Sequence, residues 1–371
     1  MKKSFSTNIE STKLKRATNA QLVEDENRMK MGILVGGGDA PGLNAAIKAA
    51  VSRSNELGFE AVGIKGGWAG LLDLDTRLLT PNDVEEIHSR GGVVLYTSRT
   101  NPFKIRNGPK RVMNNIKKLK LHALVAMGGE DTLSVAQKLC EMGMPIVGVP
   151  KTIDNDLSGT DYSIGFDTAV AIATDAIDRL RTTAEAHHRI VIVEVMGRNT
   201  GWIALYAGLA GGANLTLIPE FPLGLNRVYD LLKNRRKNGK VYSIIAVAEG
   251  AKVFKEKEQI IMASEEKDEF GHPRLGGISR VLEGLIQENT GLEARSVILG
   301  HLQRGGSPTA FDRILAMRLG AKAVELILDR RWGEMASFKA CDVVSVSLKE
   351  ALKERKCVPQ ELYAVAKTFF R

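Results

Sequence analysis

Residues 124–156 read LVAMGGEDTLSVAQKLCEMGMPIVGVPKTIDND, and they follow the order strand, glycine turn, helix, strand and acidic loop. Residues 124–126 are an apolar run that leads into two glycines, as is typical of a buried parallel strand. Residues 132–143 place apolar side chains at helical spacing and finish in glycine, which predicts a helix. Residues 146–149 predict a second strand, which the following proline ends. The stretch therefore predicts one strand–helix–strand unit of a parallel sheet.

Charged side chains follow both predicted strands. Glu130 and Asp131 come after the first strand, and the loop 151–156 (KTIDND) comes after the second. In an open parallel sheet, ligands bind where the strands end. Carboxylates, a lysine and glycine turns at one edge of a sheet predict phosphate binding, with Mg2+ as the cofactor.

A second glycine-rich turn, GGGDAPG at 36–42, lies between an apolar strand at 32–35 and a helical pattern at 44–55. Such a turn points backbone N–H groups at an anion, and no Cβ blocks the approach of the anion. The turn lacks the lysine of a Walker loop, and many turns of this kind are glycine-rich for geometry alone. Taken alone, it is weak support for a phosphate site.

Strand and helix patterns alternate along the chain, which predicts an α/β protein with doubly wound parallel sheets. The 371 residues are enough for two such units. Further strands are predicted at 59–64, 91–97, 190–195, 215–218, 242–247 and 295–299. Further helices are predicted at 168–184, 278–286 and 310–328, and another ends at residue 210. Residues 1–30 are predicted to form an N-terminal extension, and 252–274 an irregular surface insertion.

The composition limits the classes of partner. The net charge of +9 favours anionic substrates. The basic residues are dispersed and aromatic residues make up 5% of the chain, so nucleic acid is not expected as a partner. No apolar run is long enough to cross a bilayer, and residues 1–30 lack the apolar segment of a signal peptide. Three cysteines without metal-ligand spacing are typical of a reducing compartment, so a cytoplasmic location is expected.

At least five predicted strands end in a loop that is marked by glycine or proline and carries a charged residue. These residues are Glu130, Asp131, Lys151, Asp154, Arg198, Glu249, His301 and Arg304. Any one of them alone could be a solvated loop charge. Together they predict one site, because a cleft between two sheets would bring the strand ends face to face.

The acidic loop suggests a general base. Asp154 would take a proton, and Asp156 would tune it and help to hold Mg2+. The alternative is a pair of Asx turns that cap the next segment. Thr152 would orient a phosphate or the nucleophile. Four arginines suit bidentate phosphate binding: Arg99, Arg189, Arg295 and Arg304. For Arg189 and Arg295, a salt bridge is an equally good interpretation.

The motifs resemble those of the 6-phosphofructokinases, in order and in spacing, from about residue 31 to residue 328. They are GILVGGGDAPGLNAAI, GGEDT, PKTIDND, GTDYSIGFDTA, VEVMGRNTGW, AEGAK and LGHLQRGGSPTAFDRILA. The resemblance implies two Rossmann-like domains with the active site in the cleft between them. Residues 31–165 with 303–353 would bind the phosphoryl donor, and residues 166–302 with 354–371 would bind fructose 6-phosphate.

The resemblance also implies phosphoryl transfer to the 1-hydroxyl of fructose 6-phosphate, with Asp154 as the base. The residues expected to take part in catalysis are Asp154, Lys151, Asp131, Thr152, Asp156 and Arg198. The residues that match the sugar-phosphate site are Thr152, Ile153, Asp154, Arg189, Met196, Gly197, Arg198, Glu249, Arg295, His301, Leu302, Gln303 and Arg304. The residues that match the donor site are Gly38, Arg99, Gly129, Asp131 and Lys151.

Two implications concern metal and assembly. Glu130 stands where the family usually has an aspartate that binds Mg2+, so the carboxylate is kept but is one methylene longer. Arg189 and Arg295 match arginines that reach the 6-phosphate, one of them from a neighbouring subunit. The resemblance therefore implies a homodimer or a homotetramer.

Two differences from the ATP-using members of the family indicate which phosphoryl donor the protein uses. Members of the family that use ATP have GGDG and PGTIDND, whereas this chain has Asp131 in place of the last glycine of the first motif and Lys151 in place of the glycine of the second. A carboxylate at 131 repels and obstructs the α-phosphate of ATP, and an amine at 151 stabilises a smaller anion. This pairing is similar to that of pyrophosphate-dependent members. The alternatives are an ATP-dependent enzyme whose cleft rearranges around Asp131 and a non-catalytic sugar-phosphate sensor.

The effector pocket of allosteric bacterial members is only partly matched. Cationic residues remain at three positions, and other residues replace two arginines and a metal-binding glutamate. The first set is Lys48, Arg181 and Lys240, and the second is Ser52, Pro81 and Asn214. Weak or absent regulation by nucleoside diphosphates or phosphoenolpyruvate is therefore expected.

Overall fold

The computed structural model describes residues 29–255, 258–260, 263–267 and 273–370. The predicted N-terminal extension lies outside these residues except for its last two positions, and so do parts of the predicted insertion at 252–274. Within the described chain, no helix combines the length and the apolar character needed to cross a membrane.

A seven-stranded sheet forms the first of two layers on which the site is built. Numbered along the chain, its strands are β1 (Lys30–Val35), β2 (Glu60–Ile64), β3 (Thr76–Leu79), β4 (Leu121–Gly128), β5 (Ile146–Pro150), β15 (Glu334–Lys339) and β16 (Asp342–Ser347). They lie in the order β16-β15-β5-β4-β1-β2-β3. The inner neighbours pair in parallel, and only the two edge strands, β3 and β16, are antiparallel to their neighbours.

A four-stranded sheet forms the second layer. Its strands are β6 (Ile190–Val195), β7 (Leu215–Leu217), β9 (Ser243–Ala248) and β14 (Ala294–Ile298). They lie in the order β14-β6-β9-β7 and are all parallel. The two central strands, β6 and β9, are almost continuous apolar runs because helices cover both faces of the sheet, whereas the edge strand β14 is partly exposed.

Shorter strands form two small additional sheets. They are β8 (Leu223–Gly224), β10 (Val253–Lys255), β11 (Glu258–Ile260), β12 (Ala263–Lys267) and β13 (Pro273–Leu275). The expectation of an irregular insertion at 252–274 is therefore wrong for its described part. β10 pairs with β8 and β11, and β12 pairs with β13, so backbone pairing forms here without an apolar signal in the sequence.

Helices connect the strands and cover both sheets. They are α1 (Leu43–Glu56), α2 (Trp68–Asp73), α3 (Gly108–Lys118), α4 (Glu130–Glu141), α5 (Phe166–Ala186), α6 (Trp202–Ala210), α7 (Leu225–Lys237), α8 (Ile278–Thr290), α9 (Ala310–Leu328), α10 (Leu348–Ala351) and α11 (Gln360–Lys367). α4 begins two residues before the predicted start. Glu130 and Asp131 form its first turn, where negative charge interacts favourably with the helix dipole.

The strand predicted at 91–97 is not formed. These residues lie in turns and bends, and Tyr96 has a φ of 55°. The Val94 N–H is bound by the side chain of Asn44 at 2.9 Å instead of by a neighbouring strand. Leu95 is fully buried, so the apolar run reflects burial of a loop rather than a strand.

Glu194 is the one acidic residue in β6, and its surroundings explain its place in an apolar strand. The side chain is 1% exposed. Its carboxylate accepts hydrogen bonds from the backbone N–H groups of Gly277 and Ser279, at 2.8 and 2.9 Å, and from the Ser279 hydroxyl at 2.7 Å. Glu194 therefore caps the N-terminus of α8, which a buried carboxylate can do only with this set of donors.

The strand orders place a crevice at the carboxyl ends of the strands in each sheet. The chain leaves β1 toward β2 and later returns to β4 on its other side, and it leaves β6 toward β9 and later returns to β14. Ligand sites of open α/β sheets lie at such reversals, beyond the carboxyl ends of the strands. The loops that follow β1, β4, β6 and β14 are therefore the ones to inspect.

The crossing of α9 over α1 yields a test of the fold. A Cβ on Gly320 would lie 2.3 Å from the carbonyl oxygen of Ala46, so the crossing requires glycine. We expect Gly320→Ala to lower the free energy of unfolding by about 1–3 kcal/mol in urea denaturation, the usual effect of overpacking. Gly284→Ala on α8 is the matched control, because its Cβ would meet no atom within 4 Å. Equal stability of the two variants would contradict the close crossing.

Candidate active site

The carboxyl ends of the two sheets meet at one cleft. The loops after β1, β4 and β5 supply one side, and loops after β6 and β14 supply the other. The residues that line the cleft are Gly37, Gly38, Arg99, Gly129, Glu130, Asp131, Thr132, Lys151, Thr152, Asp154, Asp156, Arg198 and Arg304. The structure therefore brings together the predicted donor residues, the predicted acidic loop and two of the predicted phosphate-binding arginines.

The glycine turn after β1 lets two cations approach the backbone. A Cβ on Gly38 would lie 2.8 Å from Nη1 of Arg304, and a Cβ on Gly37 would lie 3.4 Å from Nζ of Lys151. Gly37 also has a φ of +83°, which side-chain-bearing residues rarely adopt. Nη1 of Arg304 donates to the carbonyl of Asp39 at 3.0 Å. A side chain at Gly38 would displace Arg304, and one at Gly37 would be strained by the backbone conformation.

Lys151 is buried, with 3% of its surface exposed. Its ammonium group donates to the carbonyl oxygen of Gly38. Burial, followed by the positive charge of Arg304, lowers the pKa of Lys151 to about 7, although Asp154 and Asp39 partly oppose the shift. An anion that entered the cleft would favour the charged amine, so anion binding and protonation of Lys151 are coupled.

The acidic loop is held rigidly by its own backbone and by its neighbours. The Thr152 hydroxyl accepts from the backbone N–H of Asp154 at 3.1 Å, and the Thr200 hydroxyl donates to the Asp154 carbonyl at 3.2 Å. The Asp154 side chain is 4% exposed, and its Oδ1 has no hydrogen-bond partner among the described residues. A buried oxygen of this kind is an open acceptor for a hydroxyl group of a ligand.

Asp156 lies beside Asp154 in a different environment. Burial, together with the negative charge of Asp154, raises the pKa of the Asp156 carboxyl, and Arg355 partly offsets the increase. The Asp156 carboxyl therefore holds a proton more readily than an exposed aspartate does. The Asx-turn interpretation of the pair does not explain the unpartnered oxygen of Asp154.

The loops of the second sheet are held by two polar side chains, of which Gln303 is fully buried and Glu249 is half-buried. Glu249 accepts from the backbone N–H groups of Gly197 and Arg198 at 3.3 and 2.9 Å, and burial, with Asp154 nearby, raises its pKa to about 7. The amide of Gln303 accepts from the N–H of Met196 at 3.3 Å. These contacts direct the chain of 196–198 toward the cleft.

Arg198 joins the two sides of the cleft. Its Nη1 lies 3.9 Å from Oδ2 of Asp131, which is in the first turn of α4. Arg198 has a φ of 50°, a strained backbone conformation that occurs often at functional sites. Asp131 and Lys151 thus line the side of the cleft that the first sheet supplies, each facing a group from elsewhere in the chain.

The sequence profile of the phosphofructokinase family matches residues 30–327. The chain belongs to the phosphofructokinase family. A relative from Amycolatopsis methanolica, named pyrophosphate–fructose 6-phosphate 1-phosphotransferase, is 52% identical over 92% of this chain and 100% of its own. A relative from Streptomyces coelicolor, named ATP-dependent 6-phosphofructokinase 3, is 46% identical over 91% of this chain and 99% of its own.

The fold of this phosphofructokinase is shared with a solved structure. The crystal structure of a pyrophosphate-dependent phosphofructokinase from Marinobacter aquaeolei superposes with a TM-score of 0.74, over 90% of this chain and 86% of that one. The two sequences are 22% identical, so the comparison supports the fold of two Rossmann-like domains and no more.

Two predicted sugar-phosphate residues of this phosphofructokinase are not brought to the cleft. Arg189 precedes β6 and Arg295 lies near the start of β14, at the sheet edge opposite the cleft. Both contact the carboxylate of Glu293, at 2.8 and 2.9 Å. They are neighbours in one chain, and the expectation that one of them acts from another subunit stays a prediction.

Other predicted sugar-phosphate residues differ in exposure. The Ile153 side chain is fully buried in the core of the second layer, so only its backbone can contact a substrate. His301 is exposed, and Leu302 is 69% exposed. Gln303 is fully buried, and it acts on the cleft through Met196.

The carboxylates of the cleft could hold a Mg2+ ion that is also bound by the phosphates of a substrate. Among the described residues, no group of three His, Cys, Asp or Glu side chains could hold a metal by itself. Mg2+ in phosphoryl-transfer sites commonly uses one or two carboxylates together with substrate phosphates and water. The Asp156 carboxylate suits that role, which leaves the open oxygen of Asp154 to accept from a ligand hydroxyl. The Glu130 carboxylate is 57% exposed and lies 3.8 Å from Arg355, so its predicted metal contact competes with an arginine.

Sequence reasoning missed two charged residues at the edge of the site. Asp312 is fully buried and accepts from the backbone of Gly165 and Thr168, which joins the first turns of α9 and α5. Arg355 contacts the acidic loop from the C-terminal part of the chain. Asp312 lies within a long family motif, which was a usable signal, whereas Arg355 lies in a mixed charge run that resembles any solvated surface.

The residues of the predicted effector pocket make local contacts. Lys48 donates to the carbonyl of Glu85, and Arg181 donates to that of Gly211. Asn214 accepts from the N–H of Ile244 at 2.9 Å. Weak or absent regulation stays a prediction.

The buried lysine gives the stability of the protein a pH dependence. The pKa of Lys151 falls from 10.5 to about 7 on folding, so burial of the ammonium lowers stability below pH 7. Between these two values the unfolded chain keeps a proton that the folded protein has lost, and stability therefore rises with pH. We expect Lys151→Met to be more stable than the wild type at pH 6, with the difference shrinking as the pH rises from 7 to 10.

Urea denaturation at pH 6, 8 and 10 measures this difference. Lys353→Met is the control, because Lys353 is exposed and its replacement should change stability by a constant amount. A difference for Lys151→Met that does not vary with pH would contradict the burial of a titrating amine.

Proposed function

We propose that the protein transfers a phosphoryl group from pyrophosphate to fructose 6-phosphate, in a Mg2+-dependent reaction that yields fructose 1,6-bisphosphate and phosphate. The observation that carries the proposal is the pairing of Asp131 and Lys151 on the donor side of one cleft. The names of four relatives at 48–52% identity agree with this donor.

Charge and space at the donor side favour a short anion. Asp131 places a carboxylate where the chain of a nucleotide would continue beyond its terminal phosphates, and this carboxylate is fixed in the first turn of α4. Lys151 offers a buried cation to the transferred phosphoryl group and to the leaving phosphate. Arg99, Arg198 and Arg304 line the same cleft and can bind the remaining oxygens.

Asp154 is the group that we assign as the general base. Its unpartnered Oδ1 accepts the proton of the sugar 1-hydroxyl, whose oxygen attacks phosphorus in line while the bond to the leaving phosphate breaks. Thr152 holds the backbone of the base in place. When bound, Mg2+ would neutralise part of the phosphate charge beside Asp154 and Asp156.

We further propose the domain boundaries that the sequence suggested. Residues 31–165 with 303–353 bind the donor, and this is supported by β15 and β16, which return to the first sheet. Residues 166–302 with 354–371 bind the sugar phosphate. Tyr363 of α11 supports this second unit, because it is buried in its core and donates to the carbonyl of Thr216 at 3.1 Å.

The second candidate is an ATP-dependent phosphofructokinase. It is favoured by relatives at 44–46% identity that carry that name. It requires Asp131 to leave its place opposite Arg198.

With pyrophosphate as the donor, the reaction should be reversible. The free energy of phosphoryl transfer from pyrophosphate is closer than that of ATP to that of the sugar phosphate ester.

A donor comparison tests the proposal. With pyrophosphate and ATP at equal concentrations and saturating fructose 6-phosphate, we expect kcat/KM to favour pyrophosphate by roughly a hundredfold or more, because one donor meets a repelling carboxylate. Asp131→Gly combined with Lys151→Gly should lower pyrophosphate use at least about tenfold, through the loss of the cation. A large preference of the wild type for ATP would overturn the assignment of the donor.

The position of Arg189 and Arg295 predicts a homo-oligomer with shared sites. If both arginines reach the sugar phosphate of a neighbouring subunit, the two lesions of a mixed dimer, Asp154→Asn in one subunit and Arg189→Gln in the other, fall on the same site and leave the second site intact. Each variant alone should lose activity, Asp154→Asn by about 10²–10⁴-fold. Unfolded and refolded together in equal amounts, they should regain up to about a quarter of wild-type activity, since half of the dimers are mixed and each has one intact site. No recovery in refolded mixtures that contain mixed oligomers would exclude action between subunits.

A further inference from the structure

The C-terminal strap, which we define as residues 355–358, runs along the back of the acidic loop. Arg355 pairs with Leu157 in an isolated antiparallel bridge. The backbone N–H of Lys356 donates to the carbonyl of Asp156 at 2.9 Å. The Lys356 ammonium donates to the carbonyls of Thr160 and Asp161 at 2.9 and 2.8 Å. The strap therefore holds both ends of the segment that follows Asp154.

The side chain of Arg355 bridges two elements of the donor side. Its Nη2 lies 3.8 Å from Oε2 of Glu130 in α4, and its Nε lies 4.0 Å from Oδ2 of Asp156 in the acidic loop. The Asp156 side chain is 11% exposed, whereas the Arg355 side chain is 41% exposed. Glu130 and Asp156 line both the cleft and a second cavity behind it, and Arg355 lines that second cavity. The guanidinium therefore contacts the two carboxylates from the side away from the substrates.

The other end of the strap is attached to the second layer. The carbonyl of Lys356 accepts from the indole N–H of Trp202 at 2.8 Å. The N–H of Val358 donates to Oε1 of Glu220 at 3.1 Å, and the same oxygen accepts from the N–H of Gly201 at 3.0 Å. Gly201 and Trp202 directly follow the loop that carries Arg198. The strap thus links the acidic loop to the loop on the sugar side.

We propose that Arg355 is a positioning residue for phosphoryl transfer. It holds Asp156 and Glu130 in place, and thereby aligns the acidic loop with the donor side of the cleft. The inference rests on the proposed function, because it concerns the geometry of that reaction. In this role Arg355 acts as a fixed cation opposite two carboxylates, and the role requires no contact between Arg355 and either substrate.

Electrostatics explain why a cation is needed at this position. Asp156 has Asp154 and Glu130 as acidic neighbours, and Arg355 opposes them, with the Lys356 ammonium also near Asp156. Like charges a few ångströms apart in a partly buried site repel one another strongly. Without Arg355, that repulsion would move Asp156 and the loop that it shares with Asp154. A displacement of about 1 Å in a reacting group can lower the rate by about a hundredfold.

Four variants test the proposal in the full-length enzyme. Arg355→Gln and Arg355→Met remove the charge and keep most of the side-chain length, and Arg355→Lys restores the charge. Arg331→Gln is the matched control, since Arg331 is a surface arginine that pairs with Glu334 at 2.7 Å away from the cleft. For each protein, kcat, the KM values of both substrates, and the thermal midpoint are measured, together with the calorimetric affinity for Mg2+ and the non-hydrolysable analogue imidodiphosphate.

We expect both neutral variants to lower kcat by about 10- to 100-fold, with the KM of fructose 6-phosphate within about twofold of the wild type. Their affinity for Mg2+–imidodiphosphate should fall, while Arg355→Lys recovers most of kcat and Arg331→Gln behaves as the wild type. An unchanged kcat in either neutral variant would refute the proposal. So would a loss matched by the control, a failure of lysine to restore the rate, or a loss explained by a lowered thermal midpoint.

The outcome is separable from that of the donor assay. If the wild type uses ATP instead, the proposed donor is wrong, but the same variants compared with the wild type in that reaction still decide the role of Arg355. If the wild type uses pyrophosphate and the neutral variants keep their kcat, only the positioning role fails.

Discussion

The ammonium group of Lys151 is buried, and the surrounding cleft has to compensate for the loss of its hydration. Its hydrogen bond to the carbonyl of Gly38 is possible because the turn after β1 consists of glycines. Burial of the amine disfavours its charge, which an incoming anion would favour. A site with this property selects for small, highly charged ligands, since each added phosphate oxygen compensates for desolvation of the cation.

The topology of the two sheets makes that arrangement possible. β1 and β4 deliver the glycine turns and α4 from one sheet, while β6, β9 and β14 deliver Arg198, Glu249 and Arg304 from the other. Polar side chains then fix the loops: Glu249 and Gln303 hold the 196–198 loop, and Asp312 joins the first turns of two helices. Gln303 and Asp312 are fully buried and Glu249 is half-buried, and all three have hydrogen-bond partners, so their networks can hold a unique geometry.

Much of the fold and of the cleft could be predicted from sequence because local patterns carry the information. Continuous apolar runs that end in glycine indicate parallel strands, and charges after such strands point to one sheet edge. The loop at 91–97 could not be recognised, because an apolar run shows burial of Leu95 without showing whether a neighbouring strand exists. The placement of Arg189, Arg295 and Arg355 depends on long-range topology, and their local sequences do not differ from those of surface arginines. Glu194 illustrates the reverse case, in which a charge in an apolar strand indicates a buried cap.

The space between Lys151 and Asp131 decides which phosphoryl donor the protein uses. The most direct measurement is a crystal structure of the protein with Mg2+, fructose 6-phosphate and imidodiphosphate. We expect a phosphate oxygen within hydrogen-bond distance of Nζ of Lys151, with the sugar 1-hydroxyl against Asp154. A structure in which an ATP analogue passes residue 131 and presents its γ-phosphate to the sugar 1-hydroxyl would contradict this expectation.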